Sequence, residues 1–161
     1  MKLQRSTIFA LYAVLELARD PTAQLATGEI AARYGISAHH LAKVMRQLVR
    51  ARLIRSARGA GGGYRLAVNP GRVTLMDVVA IFEERLTSAF DDEGTGDDGS
   101  GAIGDIGLAL QAVRDEIEDL TRATLASITL ATLVESAGRL AAAPKAETGD
   151  TSAQPVLAPL T

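Results

Sequence analysis

Residues 58–67 read RGAGGGYRLA, three consecutive glycines followed at once by an alternating aromatic, basic and apolar run. No other stretch limits the fold as much. Glycine reaches positive φ without a Cβ clash, so such a run suits a phosphate-cradling loop, a flexible linker or a hairpin tip. A P-loop needs a Gly-Lys-Ser/Thr ending after a buried strand, and this stretch has neither. In a dinucleotide-binding loop the glycines open a helix, whereas these precede an alternating strand. A plain linker would not continue as Tyr64, Leu66 and Val68 with a period of two. The hairpin reading survives. Leu53 to Ala57 and Gly63 to Val68 are its predicted strands, with Gly59, Gly61 and Gly62 supplying the turn and Arg58 at the tip.

The residues before the hairpin give it a context. Ile8, Leu11, Tyr12, Leu15 and Ala18 follow helical spacing, which predicts a helix over about residues 5–19, ended by Pro21. Thr27 is the expected N-cap of a short helix from Gly28 to Tyr34, with Ile30 and Ala31 inward. Gly35 breaks that helix, and Ser37 is the next expected N-cap. From Ala38 to about Arg50 a longer helix turns Leu41, Val44, Met45 and Leu48 to one face. His39, Lys43, Arg46 and Arg50 lie on another, at spacings of 4, 3 and 4. A short helix, a Gly-Ile-Ser turn and a second helix with a basic outer stripe make a helix-turn-helix, and the hairpin after it makes a wing. The first turn of the second helix is then placed to enter a major groove. The candidate DNA contacts are Ser37, Ala38, His39, His40, Lys43, Arg46 and Arg50 from the helix. Arg58, Gly59, Gly61, Gly62 and Tyr64 come from the wing, with Arg58 aimed at an adjacent minor groove.

Charge supports a polyanion partner. Residues 1–72 hold twelve Lys/Arg and three Asp/Glu, a net of +9, while residues 73–161 hold five and sixteen, a net of −11; the two sum to the overall −2. A basic half joined to an acidic half points to nucleic acid for the first. The absence of cysteine excludes disulfides, thiolate metal sites and a cysteine nucleophile. The two histidines are adjacent on a helix and diverge by about 100°, so they do not jointly hold one metal easily. No catalytic set, cofactor or metal is expected, and the chain is not read as an enzyme. The start, MKLQRSTIFALYAVLELARD, has the basic-then-apolar order of a signal peptide, but Glu16, Arg19 and Asp20 interrupt it. An amphipathic first helix in a cytoplasmic protein is the better reading, with no membrane span.

The acidic half is read as mostly helical. Thr74 and Asp77 form a capping-box-like start of a helix to about Arg85. Residues 86–105 make an acidic flexible loop; its DDEGTGDDGSG run lacks the Glu that an EF-hand needs at its twelfth position. Ile106, Leu110, Val113, Ile117 and Leu120 recur at spacings of 4, 3, 4 and 3, a heptad-like seam suited to a second copy of the chain. Docking of that seam onto the same chain's winged helix is the alternative. Ile128, Leu130, Leu133 and Val134 suggest a short final helix within residues 106–140. The Ala/Pro/Thr-rich residues 141–161 read as a disordered tail.

Four segments together resemble the Rrf family of bacterial transcription regulators: MKLQRSTIFALYAVLELA, IAARYGISAHHLAKVMRQLVRARLIRSARGAGGGYRLA, VTLMDVVAIFE and ITLATLV. The resemblance spans roughly residues 1–135, and its specific part is Gly35 to Ala67. It implies a homodimeric winged-helix repressor with a long helix as the dimer seam, acting on a pseudo-palindromic double-stranded DNA operator. Many members hold an iron–sulfur cluster on three cysteines between the helix after the wing and the long helix. Here the corresponding residues 88–107 contain none, so a cluster is not expected. The signal would then be a small-molecule or protein effector, or expression level alone. The expected fold is mostly α with a small β-hairpin: a winged helix-turn-helix over residues 1–85, followed by a long dimerisation helix. A winged-helix dimer that binds protein instead of DNA is the alternative function, and the one-sided +9 half argues against it.

Overall fold

The first helix, α1 (Arg5–Arg19), is the post around which the other elements pack. In the computed structural model, which describes residues 3–57, 62–83, 86 and 104–142, it buries Ala10, Ala13, Val14 and Leu17 completely or nearly so. Its small residues let neighbouring helices approach closely, and α2 (Thr27–Tyr34), α3 (Ala38–Arg50), α4 (Leu75–Val79) and α6 (Leu130–Ala142) all pack against it. From α3 come Leu41, Val44, Met45 and Leu48, and from α2 Ile30; Val78 and Leu130 complete one continuous core. The α3 residues and Ile30 are the inward positions that helical periodicity assigns. In α1 the close approach of its neighbours selects the face of small residues instead: of the apolar stripe Ile8, Leu11, Tyr12, Leu15 and Ala18, only Ala18 is buried and Tyr12 is exposed.

Helix α2 ends on Gly35, which adopts φ 62° and ψ 31°. In that left-handed conformation Ile36 N–H returns to Ala31 O at 2.9 Å, and the chain turns into α3. The start of α2 departs from expectation. Ala26, not Thr27, is the N-cap, and Thr27 is the first helical residue. The reason is Glu29, whose carboxylate reaches back to accept from Ala26 N–H at 2.6 Å and so supplies the cap from inside the helix. Ser37 does occupy the N-cap of α3, with no side-chain hydrogen bond; its carbonyl accepts from Leu41 N–H instead.

Helix α3 closes on Arg52, a non-glycine residue at φ 61°. Its N–H meets Val49 O at 3.0 Å, and Leu53 N–H meets Leu48 O at 3.1 Å. A side chain at that position costs about 1–2 kcal/mol relative to right-handed backbone. The hairpin follows at once. Strands β1 (Ile54–Ala57) and β2 (Gly63–Leu66) pair antiparallel in the register Ile54↔Leu66, Arg55↔Arg65, Ser56↔Tyr64 and Ala57↔Gly63. Both strands are slightly shorter than expected. On its other edge β2 pairs with Leu25, which precedes α2: Leu25 N–H donates to Tyr64 O at 3.0 Å and Tyr64 N–H to Leu25 O at 2.8 Å. The wing is thereby bonded to the helix-turn-helix.

The helix after Thr74 carries the expected capping box, with Asp77 N–H donating to Thr74 Oγ1 and Thr74 N–H to the Asp77 carboxylate. It stops at Val79, not near Arg85, which lies outside the described residues. The chain instead winds through Ile81 and Phe82 and aims Glu83 at the start of α1, where its carboxylate accepts from Gln4 N–H and the Thr7 hydroxyl. A tertiary contact here overrides the helical pattern. Of the expected acidic loop, Leu86 is buried, Gly104 is exposed and Asp105 already begins the next helix; residues 87–103 lie outside the described set.

Helix α5 (Asp105–Ser127) is longer than the expected seam, 23 residues or about 34 Å. None of its residues is fully buried. It joins α6 through Ile128 and Thr129, which pair with the segment before α4: Leu75 N–H donates to Ile128 O and Leu130 N–H to Val73 O, both at 2.9 Å. The final helix is also longer than expected, running through the helix-favouring Arg139-Leu140-Ala141-Ala142. Residues 141 and 142 are therefore helical, and the rest of the expected tail, 143–161, lies outside the described residues.

Candidate nucleic-acid interface

Two faces of α3 have opposite fates. Leu41, Val44, Met45 and Leu48 are buried, while Ser37, Ala38, His39, His40, Lys43, Arg46 and Arg50 are exposed. The structure thus leaves every helix residue of the candidate interface open to solvent on one element. The His39 and His40 rings lie 6.0 Å apart at its first turn. Lys43, Arg46 and Arg50 have no ion pair with a described residue. Gln47 is exposed between Arg46 and Arg50. It was not among the sequence-selected residues; its exposed position in the α3 pattern was the signal that would have found it, and its amide has the donor–acceptor pair that reads adenine.

From the wing, Arg58, Gly59 and Gly61 lie outside the described residues. Gly62 is exposed just before β2. Tyr64 is half-buried, packs against the core and bonds through its backbone to Leu25. Arg52 and Arg55 are exposed basic residues on the same stretch of chain.

Helix α2, which precedes α3, is tied to α1 by an ionic cluster that the sequence pattern does not reveal. Glu16 of α1 is 5% exposed. Its carboxylate accepts from Arg33 and from the Tyr34 hydroxyl, the last two residues of α2, and lies 3.5 Å from Arg19. Tyr34 also stacks on Tyr12, ring centroids 4.4 Å apart and planes within 6°. One carboxylate thus ties the end of α2, and with it the Gly35 turn, to α1. Burial, followed by the Glu16 hydrogen bond and charge, pushes the Tyr34 hydroxyl up from 10.0 to about 12. A group whose folded value is raised contributes stability that is complete below its unfolded value and is lost as pH rises through the folded one. The Tyr34 contribution is therefore present below about pH 10 and disappears between pH 10 and 12. Chemical denaturation midpoints over that range are expected to fall more steeply for the parent protein than for Tyr34→Phe. Parallel curves would show that Tyr34 ionises as an ordinary tyrosine.

At the far end of the chain, α5 presents Ile106, Leu108, Leu110, Val113, Ile117 and Leu120, all between 42% and 78% exposed. The five residues of the predicted seam lie on one helix, and none docks into its own chain's core.

Comparison with known proteins agrees with this geometry. A family model described as Rrf2, iron-dependent transcriptional regulator, matches residues 3–136. An HTH-type transcriptional regulator of Rhodopseudomonas palustris, BadM, is 48% identical over 135 residues, covering 84% of this chain and 82% of that one. The solved structure of CymR, the global cysteine regulator of B. subtilis, superposes with a TM-score of 0.68 at 25% identity, over 84% of this chain and 98% of that one. T. potens IscR shares the fold, with a TM-score of 0.69 at 23% identity over 89% and 93% of the two chains. Iron in the family description prompts a test of the residues present. A cluster held by thiolates needs cysteines, and this chain has none. Among the described residues no group of three or more His, Cys, Asp or Glu is placed to hold a metal ion. The residues do not fit such a cluster.

Proposed function

Because this chain belongs to the Rrf2 family of transcriptional regulators, we propose that it acts as a homodimeric repressor reading a pseudo-palindromic DNA operator, one half-site per protomer. The observation that carries this reading is the α3 surface: a buried apolar face behind an exposed row of His39, Lys43, Arg46 and Arg50, in which the three basic residues form no ion pair with a described residue. A helix of that kind inserted in a major groove places His39, His40 and Lys43 near base edges and the later arginines near phosphates. Ser37, Ala38, Arg58 and the turn glycines complete the assigned contact surface, with Arg58 assigned to the minor groove. The winged helix-turn-helix, residues 1–85, is the DNA-binding unit, and residues 106–140 supply the assembly unit through the α5 seam. A cytoplasmic regulator of this kind would take its signal from a small-molecule or protein effector instead of a cysteine-held cluster.

Titration against a duplex of mixed sequence at two salt concentrations tests the reading. Binding is expected to weaken steeply with salt, since each neutralised phosphate contributes about −0.9 to the logarithmic salt slope. Absence of measurable binding at about 50 mM salt would favour a protein-interaction module instead.

A further inference from the structure

We propose that Glu16 is a positioning residue for DNA recognition: by clasping the last two residues of α2 it fixes where the first turn of α3 stands, and so how sharply the protein tells one DNA sequence from another. The proposal rests on the DNA-binding reading above and deepens it, naming a group of α1 outside the assigned contact surface.

The position suits an apolar residue. Leu17 and Ala18, which follow Glu16, are buried, and Glu16 is itself 5% exposed. A carboxylate in such a place gives up its hydration, and apolar replacements of buried ion pairs often leave a fold as stable or more so. Stability alone therefore does not account for an acid there. What the acid adds is direction. Apolar contact is non-directional, whereas charge-assisted hydrogen bonds fix distance and angle. The Glu16 carboxylate accepts from the Arg33 guanidinium and from the Tyr34 hydroxyl, with Arg19 3.5 Å away. One turn earlier on α1, Tyr12 stacks on the Tyr34 ring, centroids 4.4 Å apart. The end of α2 is thus held at two points on α1.

That end leads straight into α3. Gly35 follows Tyr34 at φ 62°, Ile36 N–H returns to Ala31 O at 2.9 Å, and Ala38 begins α3. Three residues separate Tyr34 from Ala38, so a shift of Tyr34 passes to His39 and His40, which the DNA-binding reading places near base edges. Hydrogen bonds to base edges are confined to about 2.7–3.2 Å, and such a shift breaks them. Long lysine and arginine side chains follow the shift and keep their phosphates, which carry no sequence information. Glu16 therefore acts on discrimination and leaves charge-driven binding in place. Nor does its removal strand a buried charge, because the Arg19 and Arg33 side chains are 55% and 54% exposed and stay hydrated.

The test compares full-length parent, Glu16→Met, Glu16→Gln and Tyr34→Phe on two probes: a duplex that the parent enriches from a randomised pool, and a duplex of mixed sequence. The readout is the ratio of the two affinities. Glu16→Met is expected to melt within ~3 °C of the parent and to bind the mixed duplex with the parent's affinity and salt slope. Its ratio is expected to fall about 10-fold, the scale of one mismatched base pair. Glu16→Gln keeps an acceptor for the Tyr34 hydroxyl and Tyr34→Phe keeps the Arg33 pair, so both are expected to fall between Glu16→Met and the parent. A purely structural role would lower the melting temperature and both affinities together, with the ratio unchanged. A folded Glu16→Met protein with the parent's ratio would overturn the proposal. Should Glu16→Met fail to fold, Tyr34→Phe decides: a reduced ratio upholds the proposal and the parent's ratio overturns it. A parent that binds DNA but enriches no sequence would overturn it too. A parent that binds neither the pool nor the mixed duplex would overturn the DNA-binding reading itself.

Discussion

Gly63→Ala is expected to cost about 3 kcal/mol of stability and to weaken DNA binding, although it adds a single methyl group. A Cβ built at Gly63 would stand 2.5 Å from Leu25 O and 2.7 Å from Leu25 C. Both are backbone atoms, so no side-chain rotation relieves the overlap. Either β2 withdraws from Leu25, breaking the two hydrogen bonds between Tyr64 and Leu25, or the segment before α2 shifts with it. Overpacking of a well-fitted site costs about 1–3 kcal/mol, and the high end applies where backbone must move. Since Leu25 immediately precedes the cap of α2, the displacement reaches the helix-turn-helix, and a lower DNA affinity should accompany the lower melting temperature. Gly28→Ala is the matched control. Nothing lies within 4 Å of a Cβ there, and the residue is in α2, so that variant should melt at or above the parent. A Gly63→Ala protein that melts with the parent would show that the wing is not clamped to Leu25 in solution.

Val113→Asp and Ile117→Asp are expected to yield monomers at micromolar concentration and to lower affinity for a two-half-site DNA by about 100-fold or more. Both side chains are exposed in the single chain, 53% and 42%, so the fold of one protomer loses little when they become charged. In the proposed dimer the same positions are covered, and an unpaired carboxylate buried there costs about 3–5 kcal/mol. Loss of the dimer makes each half-site bind alone, without the gain from linkage. Sedimentation velocity on the variants, with far-ultraviolet circular dichroism to confirm retained helix, reads the two effects separately. A variant still dimeric at micromolar concentration would remove α5 from the interface.

The elements that local rules specify are legible in the sequence. The helix over residues 5–19, the Gly35 turn and the inward set Leu41, Val44, Met45 and Leu48 all reappear, although α1 buries Ala10, Ala13, Val14 and Leu17 while Ile8, Leu11 and Leu15 of the apolar stripe are only partly covered and Tyr12 is exposed. The hairpin was legible because its glycines and alternation are local signals. Boundaries were less so where a distant partner intervened. Helix α4 ends early because Glu83 is drawn to Gln4 and Thr7, more than 70 residues away in sequence, and α2 begins one residue early because Glu29 caps Ala26. Gln47 is missed because it sits within a stripe selected for charge.

By itself, then, the sequence determined the kind of element at each place and the sign of its surface. Hydrophobic period, glycine conformation and net charge act over a few residues and need no partner to be read. Only the tertiary structure decided how these elements were held to one another: Glu16 gathering Arg33 and Tyr34, Leu25 completing the edge of β2, and Gly63 leaving room for the Leu25 backbone. Each of these joins residues from separate elements, and a contact between them exists only after the core has set their distance. The buried carboxylate makes the point most directly. In the sequence Glu16 is a charge that interrupts an apolar run, and in the fold it is the anchor of the helix that precedes the reading head, because α2 packs over it and brings two donors to its oxygens.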